Sequence, residues 1–169
     1  QQHLQARVRV VMLMALSNAT GDLLLATSNK SELATGYSTL YGDMCGGFCV
    51  LKDVYKTLVY DLANYRNGVS SAIPERVITR PPSAELQHDQ TDQDTLPPYS
   101  ELDAILYCAI EEGLSQDKII AKGYDPEAVR DSFNRLYKNE YKRRQGAPGV
   151  KITSKAFGRD RRFPITSGY

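Results

Sequence analysis

Leu23, Leu24, Leu25 and Ala26 form one continuous apolar run in a chain whose other apolar residues are mostly spaced for helices. Such a run is the signature of a strand buried on both faces of a parallel sheet. It is preceded by a helical stripe, Leu4, Val8, Val11, Met12, Ala15 and Leu16, which Asn18 to Gly21 stop. Thr27, Ser28 and Asn29 follow as a polar turn, and then helical spacing resumes. Helix, buried strand, polar turn, helix is a unit of an α/β parallel sheet. Only Phe48 to Leu51 offers a second strand, and a parallel sheet cannot be built from one or two. With no initiator Met, the chain is expected to be a fragment whose remaining strands lie upstream.

Downstream the pattern is helical. Asp53 is placed to cap a helix with apolar positions Val54, Leu58, Leu62 and Tyr65, and Pro74 opens a short one. Residues 81–98 are polar and acidic between proline pairs, a loop long enough for a flexible lid over 84–98. Leu102, Ile105, Leu106, Ala109 and Ile110 mark a helix ended by Gly113, and Ser115 to Lys122 a short one ended by Gly123. Asp125-Pro126 caps a long helix expected to run to about Arg144. The remainder, 145–169, with several Gly and Pro, reads as an extended, poorly packed basic tail.

Charge is unevenly spread: nine Lys/Arg lie from Lys138 onward against Glu140 and Asp160, although the net charge is only +1. A basic tail on an acidic body suits phosphate-bearing ligands, nucleic acid or plain solubility. Three cysteines, Cys45, Cys49 and Cys108, fit neither a disulfide framework nor a zinc site, and point to a reducing cytoplasm. No run of about 18 apolar residues is present to span a membrane.

The strongest candidate site is Thr27 to Glu32, at the carboxyl end of the apolar run, where open α/β sheets bind ligands over helix N-termini. A carboxylate facing bound phosphates needs a cation between them, which makes Glu32 a candidate magnesium ligand. The plain alternative is a capping box, Asn29-x-x-Glu32. Gly36 to Gly47 carries four glycines in twelve residues, so its backbone can approach a ligand, with Tyr41 and Asp43 as contacts; an ordinary turn-rich connection reads the same way. Lys56 falls in the first turn of its helix, where a cation opposes the dipole; a phosphate partner or a solvated side chain explains it. Tyr141-Lys-Arg-Arg-Gln and Gly158-Arg-Asp-Arg-Arg either bind phosphates or form a solvated face. His3 and His88 are isolated and carry no metal-ligand spacing. No catalytic nucleophile set can be assembled.

The ordered set ATSNKSELATGYSTLYGDMCGGFCVLKDVYKT, RPPSAELQHDQTDQDTLPPYSELD and EYKRRQGAPGVKITS resembles the NAD synthetase family, and more closely its glutamine-dependent, two-domain members. The resemblance implies the C-terminal portion of a synthetase domain: a Rossmann-like, adenine-nucleotide alpha-hydrolase parallel sheet with flanking helices, helix-rich in its C-terminal half, working as a homodimer. It implies ATP as co-substrate and Mg2+, adenylation of deamido-NAD, and attack by ammonia to give NAD. Carried over by residue, Glu32 corresponds to a magnesium ligand; Thr27, Lys56 and Ser83 to ATP contacts; Arg7, Asp43 and Lys142 to deamido-NAD contacts. The loop around Asp92 and Asp94 corresponds to a segment that orders over the site.

Three departures stand out. His3 replaces a usual Asn, Leu40 replaces a lysine of the ammonia-dependent enzymes, and the SGGxDS pyrophosphate loop and the glutaminase domain are absent. The chain alone is expected to be inactive. Two other readings stay open. One is an ATP pyrophosphatase amidating another carboxylate. The other is a helix-turn-helix over Ser115 to Gln145, against which Asp125, Glu127, Asp131 and Glu140 make nucleic acid an unexpected partner.

Overall fold

A computed structural model describes residues 1–84, 86, 87 and 89–166. His88 and Gly168 lie outside the described residues. In chain order the elements are α1 (Gln2–Thr20), β1 (Leu25–Ala26), α2 (Lys30–Thr35), β2 (Phe48–Cys49), α3 (Lys56–Val69) and α4 (Glu75–Thr79). A 3₁₀ turn at Asp92–Asp94 precedes α5 (Tyr99–Ile110), α6 (Gln116–Ala121), α7 (Pro126–Lys138) and α8 (Glu140–Arg143).

β1 and β2 pair in parallel, Leu25 opposite Phe48 and Ala26 opposite Cys49. The apolar run is therefore a strand, but not one covered on both faces. Only Ala26 is buried, while Leu23 and Leu25 are exposed, because among the described residues nothing packs over their side. The helical stripe of α1 meets the same fate. The helix forms and Gly21 ends it in the left-handed region (φ 76°), yet it packs on no other element among those described and buries only Ala6.

The core lies in the C-terminal half. α5 presents Leu102, Ile105, Leu106 and Ile110 to Ile119 of α6, Val129, Phe133 and Leu136 of α7, and Leu33 and Ala34 of α2. Apolar spacing of three and four residues puts the α5 side chains on one face and marks that helix in the sequence, whereas α7 is marked by its Asp125-Pro126 start. Asp125 caps α7 as its position suggests, accepting the Ala128 N–H at 2.8 Å, with Pro126 at the first helical position.

Three expectations need correction. Asp53 does not cap α3, which starts at Lys56; its carboxylate turns instead to Lys30 (2.8 Å) and to the Ile152 and Thr153 N–H groups. The α3 N-terminus is served by Ser31 Oγ, accepting the Lys56 N–H at 2.9 Å, and by Asp103, accepting the Thr57 N–H at 2.8 Å. The helix from Pro126 breaks at Asn139, whose side-chain amide donates to the carbonyls of Thr35 (3.0 Å) and Arg135 (2.9 Å). Gly36, at φ 67°, is required beside it, since a Cβ there would overlap Asn139. Finally, the tail is not loose. Ala147, Ala156, Phe157 and Phe163 are buried, the last two within the main core, and Gly149 bridges to Cys49. All three cysteines are free thiols.

Candidate functional site

Thr27, at the end of β1, and the N-terminus of α2 open onto a cleft of about 540 Å³. Its other walls are the first half of α1, the glycine-rich loop 36–45, and the stretch 83–92. Thr27, Glu32, Asp43, Lys56, Ser83 and Lys142 all line it, so the structure brings together six of the seven site residues expected from sequence. Arg7 does not. Its guanidinium faces the loop backbone and donates to the Leu40 carbonyl at 3.1 Å. His3 lines the cleft and pairs through Nδ1 with Thr39 Oγ1 at 2.9 Å.

Glu32 forms the capping box and also lines the cleft. The capping box is formed: Asn29 Oδ1 accepts the Glu32 N–H at 2.9 Å, and Glu32 Oε2 accepts the Asn29 N–H at 3.2 Å. Its other oxygen, Oε1, receives the Lys56 ammonium at 3.0 Å. Both side chains keep just under a fifth of their surface open, toward the cleft. Burial pushes the Glu32 pKa up, with Lys56 and Asn29 opposing. Burial works against the Lys56 ammonium as well, but the Glu32 carboxylate outweighs it and holds the Lys56 pKa above the usual lysine value. Lys56 is thus a paired group at the site and not a solvated lysine.

Why α3 tolerates a cation in its first turn is now visible. Asp103, buried on α5, accepts the Ser31 hydroxyl at 2.5 Å and the Thr57 N–H, so a carboxylate already sits on the helix N-terminus. Burial pushes the Asp103 pKa up, and its bonds to Ser31 and Thr57 oppose that.

Asp43 holds the turn of the glycine-rich loop, accepting the Thr39 N–H at 2.7 Å, while Tyr41 stands exposed at φ 60°. Lys142 donates to the carbonyls of Gly36 (2.7 Å) and Ser38 (2.8 Å). Arg143, buried and paired with Glu140 at 3.0 Å, donates to the carbonyls of Leu33 and Ala34, each at 3.1 Å, and to that of Leu136. The basic cluster at 142–143 is therefore neither a solvated face nor a free phosphate patch. Together with Asn139 it satisfies the unpaired carbonyls at the C-terminal end of α2 and in the turn beyond.

Sequence reasoning missed the groups behind the site. Lys30 is fully buried between Asp53 (2.8 Å) and Glu111 (2.5 Å) and donates to Thr153 Oγ1 and the Lys155 carbonyl. Burial alone would raise both carboxylate pKa values, but Lys30 and the tail's hydrogen-bond donors hold them below the ordinary range. A lysine between polar residues before an apolar helix gives no sign of burial; only the pairing of residues about a hundred positions apart reveals it. The sequence marks Asp92 only as part of the loop. It is buried at the cleft, with Oδ2 accepting the Tyr99 hydroxyl at 2.8 Å.

The cleft lies at the carboxyl end of a parallel strand, above a capped helix N-terminus, which is where open α/β sheets take their ligands. A family model described as NAD synthase matches residues 1–146, and the chain belongs to that family. It is 63% identical over its whole length to a glutamine-dependent NAD(+) synthetase of Acinetobacter baylyi, of which it spans 32%. It is 56% identical over 99% of its length to one of Aquifex aeolicus, of which it spans 30%. The chain thus spans about a third of the length of these relatives. Among solved structures, a glutamine-dependent NAD(+) synthetase from Cytophaga hutchinsonii is similar over 99% of this chain and 28% of its own (TM-score 0.77, 27% identity). NMN synthetase from Francisella tularensis is similar over 83% of this chain and 52% of its own (TM-score 0.68, 25% identity). The fold is α/β, of the adenine-nucleotide alpha-hydrolase type of these neighbours.

Proposed function

We propose that this chain forms one side of the synthetase site of an enzyme that amidates deamido-NAD to NAD at the expense of ATP. The observation that carries the reading is the convergence of Thr27, Glu32, Lys56, Ser83, Asp43 and Lys142 on a single cleft. The nicotinate carboxylate is adenylated and pyrophosphate leaves; ammonia then attacks the acyl carbon and AMP leaves. The glutamine-dependent relatives suggest that ammonia comes from glutamine, through a glutaminase domain outside this chain.

Lys56 and the Thr27 hydroxyl suit the ATP phosphates and Ser83 the nucleotide's polar edge, while Asp43 and Lys142 face the deamido-NAD half. Glu32 fits one ligand position of a magnesium ion: it is a hard oxygen donor, open to the cleft, and its Oε1 becomes available when Lys56 turns to a phosphate. Magnesium would supply charge neutralisation on the phosphate oxygens. The protein's part is to orient and to neutralise more than to move protons. The segment 84–98 is read as a lid over this cleft. A homodimer, whose second copy covers exposed apolar surface, and a cytoplasmic setting suited to three free thiols complete the reading.

The test is NAD formation from deamido-NAD, Mg-ATP and ammonia by this chain and by a chain extended to the relatives' length, with nicotinate mononucleotide as the rival substrate. NAD from the extended chain alone supports the reading. The NMN-forming neighbour motivates the rival. Pyrophosphate release with the mononucleotide and not with deamido-NAD would move the substrate assignment and keep the chemistry. A helix-turn-helix role has little to support it, because α7 spends Val129, Phe133 and Leu136 on the core.

A further inference from the structure

Glu32 is carried by a helix of only six residues, too short to hold its own position. Its C-terminal end is held by Asn139, Lys142 and Arg143. Its N-terminal end is held by Lys30, the first helical residue, which makes no contact with the cleft. The Lys30 ammonium, with no exposed surface, lies against Asp53, Glu111, Thr153 Oγ1 and the Lys155 carbonyl. Thr153 Oγ1 donates in turn to Asp53 at 2.9 Å, and Glu111 Oε2 accepts the Ser154 hydroxyl and the Lys155 N–H. The Lys30 N–H donates to the Val54 carbonyl at 2.9 Å, two residues before Lys56. The same cluster therefore sets where α2 begins relative to where α3 begins, and so where Glu32 stands against Lys56.

Stability alone does not account for three charges sealed in the interior. Apolar side chains of similar volume would do as well, because each buried charge must first be stripped of water. What the ionic cluster adds is convergence: Asp53, Glu111, Thr153 Oγ1 and the Lys155 carbonyl, from three separate stretches of the chain, close on one ammonium. We infer that Lys30, Asp53, Glu111 and the strap Thr153–Lys155 form a positioning device for the Glu32–Lys56 pair. Lys30 is a positioning residue for Mg-ATP and not a catalytic one. The inference rests on the reading of Glu32 and Lys56 as Mg-ATP groups.

Lys30→Met strands two buried carboxylates and loses stability whatever its role at the site, so the test uses the strap. In the chain of the relatives' length, Thr153→Val removes one hydroxyl from the cluster and keeps its shape; Thr153→Ser restores the hydroxyl. Mg-ATP binding is measured by calorimetry without deamido-NAD, alongside half-saturation for both substrates and the unfolding midpoint. Thr153→Val is expected to weaken Mg-ATP by about ten-fold, the usual scale for losing a group that orients a ligand residue. Deamido-NAD half-saturation should stay unchanged, and Thr153→Ser should recover Mg-ATP binding. A lowered midpoint with unchanged Mg-ATP binding, or equal losses for both substrates, would overturn the proposal. If the parent binds Mg-ATP but makes no NAD, the substrate reading fails while the calorimetry still decides the positioning role.

Discussion

α5 and α1 both carry apolar residues at helical spacing, and they end in opposite environments. Leu102, Ile105, Leu106 and Ile110 of α5 have no exposed surface, whereas Met12 of α1 is 68% exposed and Leu4, Val11 and Leu16 are similarly open. The difference is not in the pattern but in the company. Around α5 the chain supplies α2, α3, α6 and α7; around α1, among the described residues, no other element packs, and His3, Arg7 and Ala6 touch the loop at Thr39, Leu40 and Gly42. Periodicity announces that a face exists, and burial requires that its cover be present. The sealed region also contains its ionic groups, Lys30 and Arg143 with their carboxylates, so it is sealed for charge as well as for carbon.

The sharpest way to stress the sealed region is to break its charge balance. Lys30→Met leaves Asp53 and Glu111 buried without their cation and is expected to cost about 3–5 kcal/mol. A charge-removing change on α1, Arg9→Met, should cost within about 0.5 kcal/mol, as is usual at exposed sites. Urea unfolding of each variant measures the contrast. A Lys30→Met loss no larger than that of Arg9→Met would show that the interior admits water.

Truncating carbon tests the same contrast more gently. Leu102→Ala is expected to cost about 2–5 kcal/mol, the range for emptying a packed core site. Met12→Ala in this chain should stay within about 0.5 kcal/mol. In a chain of the relatives' length, or in a dimer, the Met12→Ala cost should rise, and that rise would report that α1 has gained its cover. Equal costs for both truncations in the present chain would sink the comparison.

What could be read from the sequence follows the same line. The helices α5, α6 and α7, the Asp125-Pro126 start and the Gly21, Gly113 and Gly123 stops are local signals, and each is realised. The Asn29–Glu32 box is local too. Asp53 misled because an acidic residue ahead of a helix is a capping signal, while its partners Lys30 and Thr153 lie far away in sequence. The break at Asn139 depends on Thr35 and Gly36, about a hundred residues upstream, and the tail's burial on Phe157 and Phe163, which no period announces. In the site, Thr27, Glu32, Asp43, Lys56, Ser83 and Lys142 share the cleft, and Arg7 faces the loop backbone. The family pattern orders residues along the chain, but which way a half-exposed side chain turns is set by its neighbours.

Acid offers a graded test of the sealed charges. Asp53 and Glu111 have folded pKa values held below the ordinary carboxylate range. Their contribution to stability is therefore present above the unfolded value of about 4 and is lost as pH falls through the folded values. Unfolding free energy should decline below about pH 5. Asp53→Asn should flatten that decline while lowering stability at neutral pH. A decline as steep in Asp53→Asn as in the parent would move the acid sensitivity elsewhere.

The smallest contrast lies at the two helix starts. α1 begins at Gln1 with no side-chain cap, whereas α2 begins with Asn29 accepting the Glu32 N–H while Glu32 accepts the Asn29 N–H. Gln1→Ala should change nothing measurable, and Asn29→Ala should cost about 1 kcal/mol through the lost cap. The cap also fixes the residue that faces the cleft. When Asn29 is replaced, Glu32 loses the bond that steers its backbone but keeps its ion pair with Lys56. Glycine at this position costs only a few tenths of a kcal/mol, so Asn29→Gly separates the two effects. If Asn29→Gly stays near parental stability yet weakens Mg-ATP binding, the cap acts through Glu32. If Asn29→Ala and Asn29→Gly lose binding only in proportion to stability, the cap serves the helix alone.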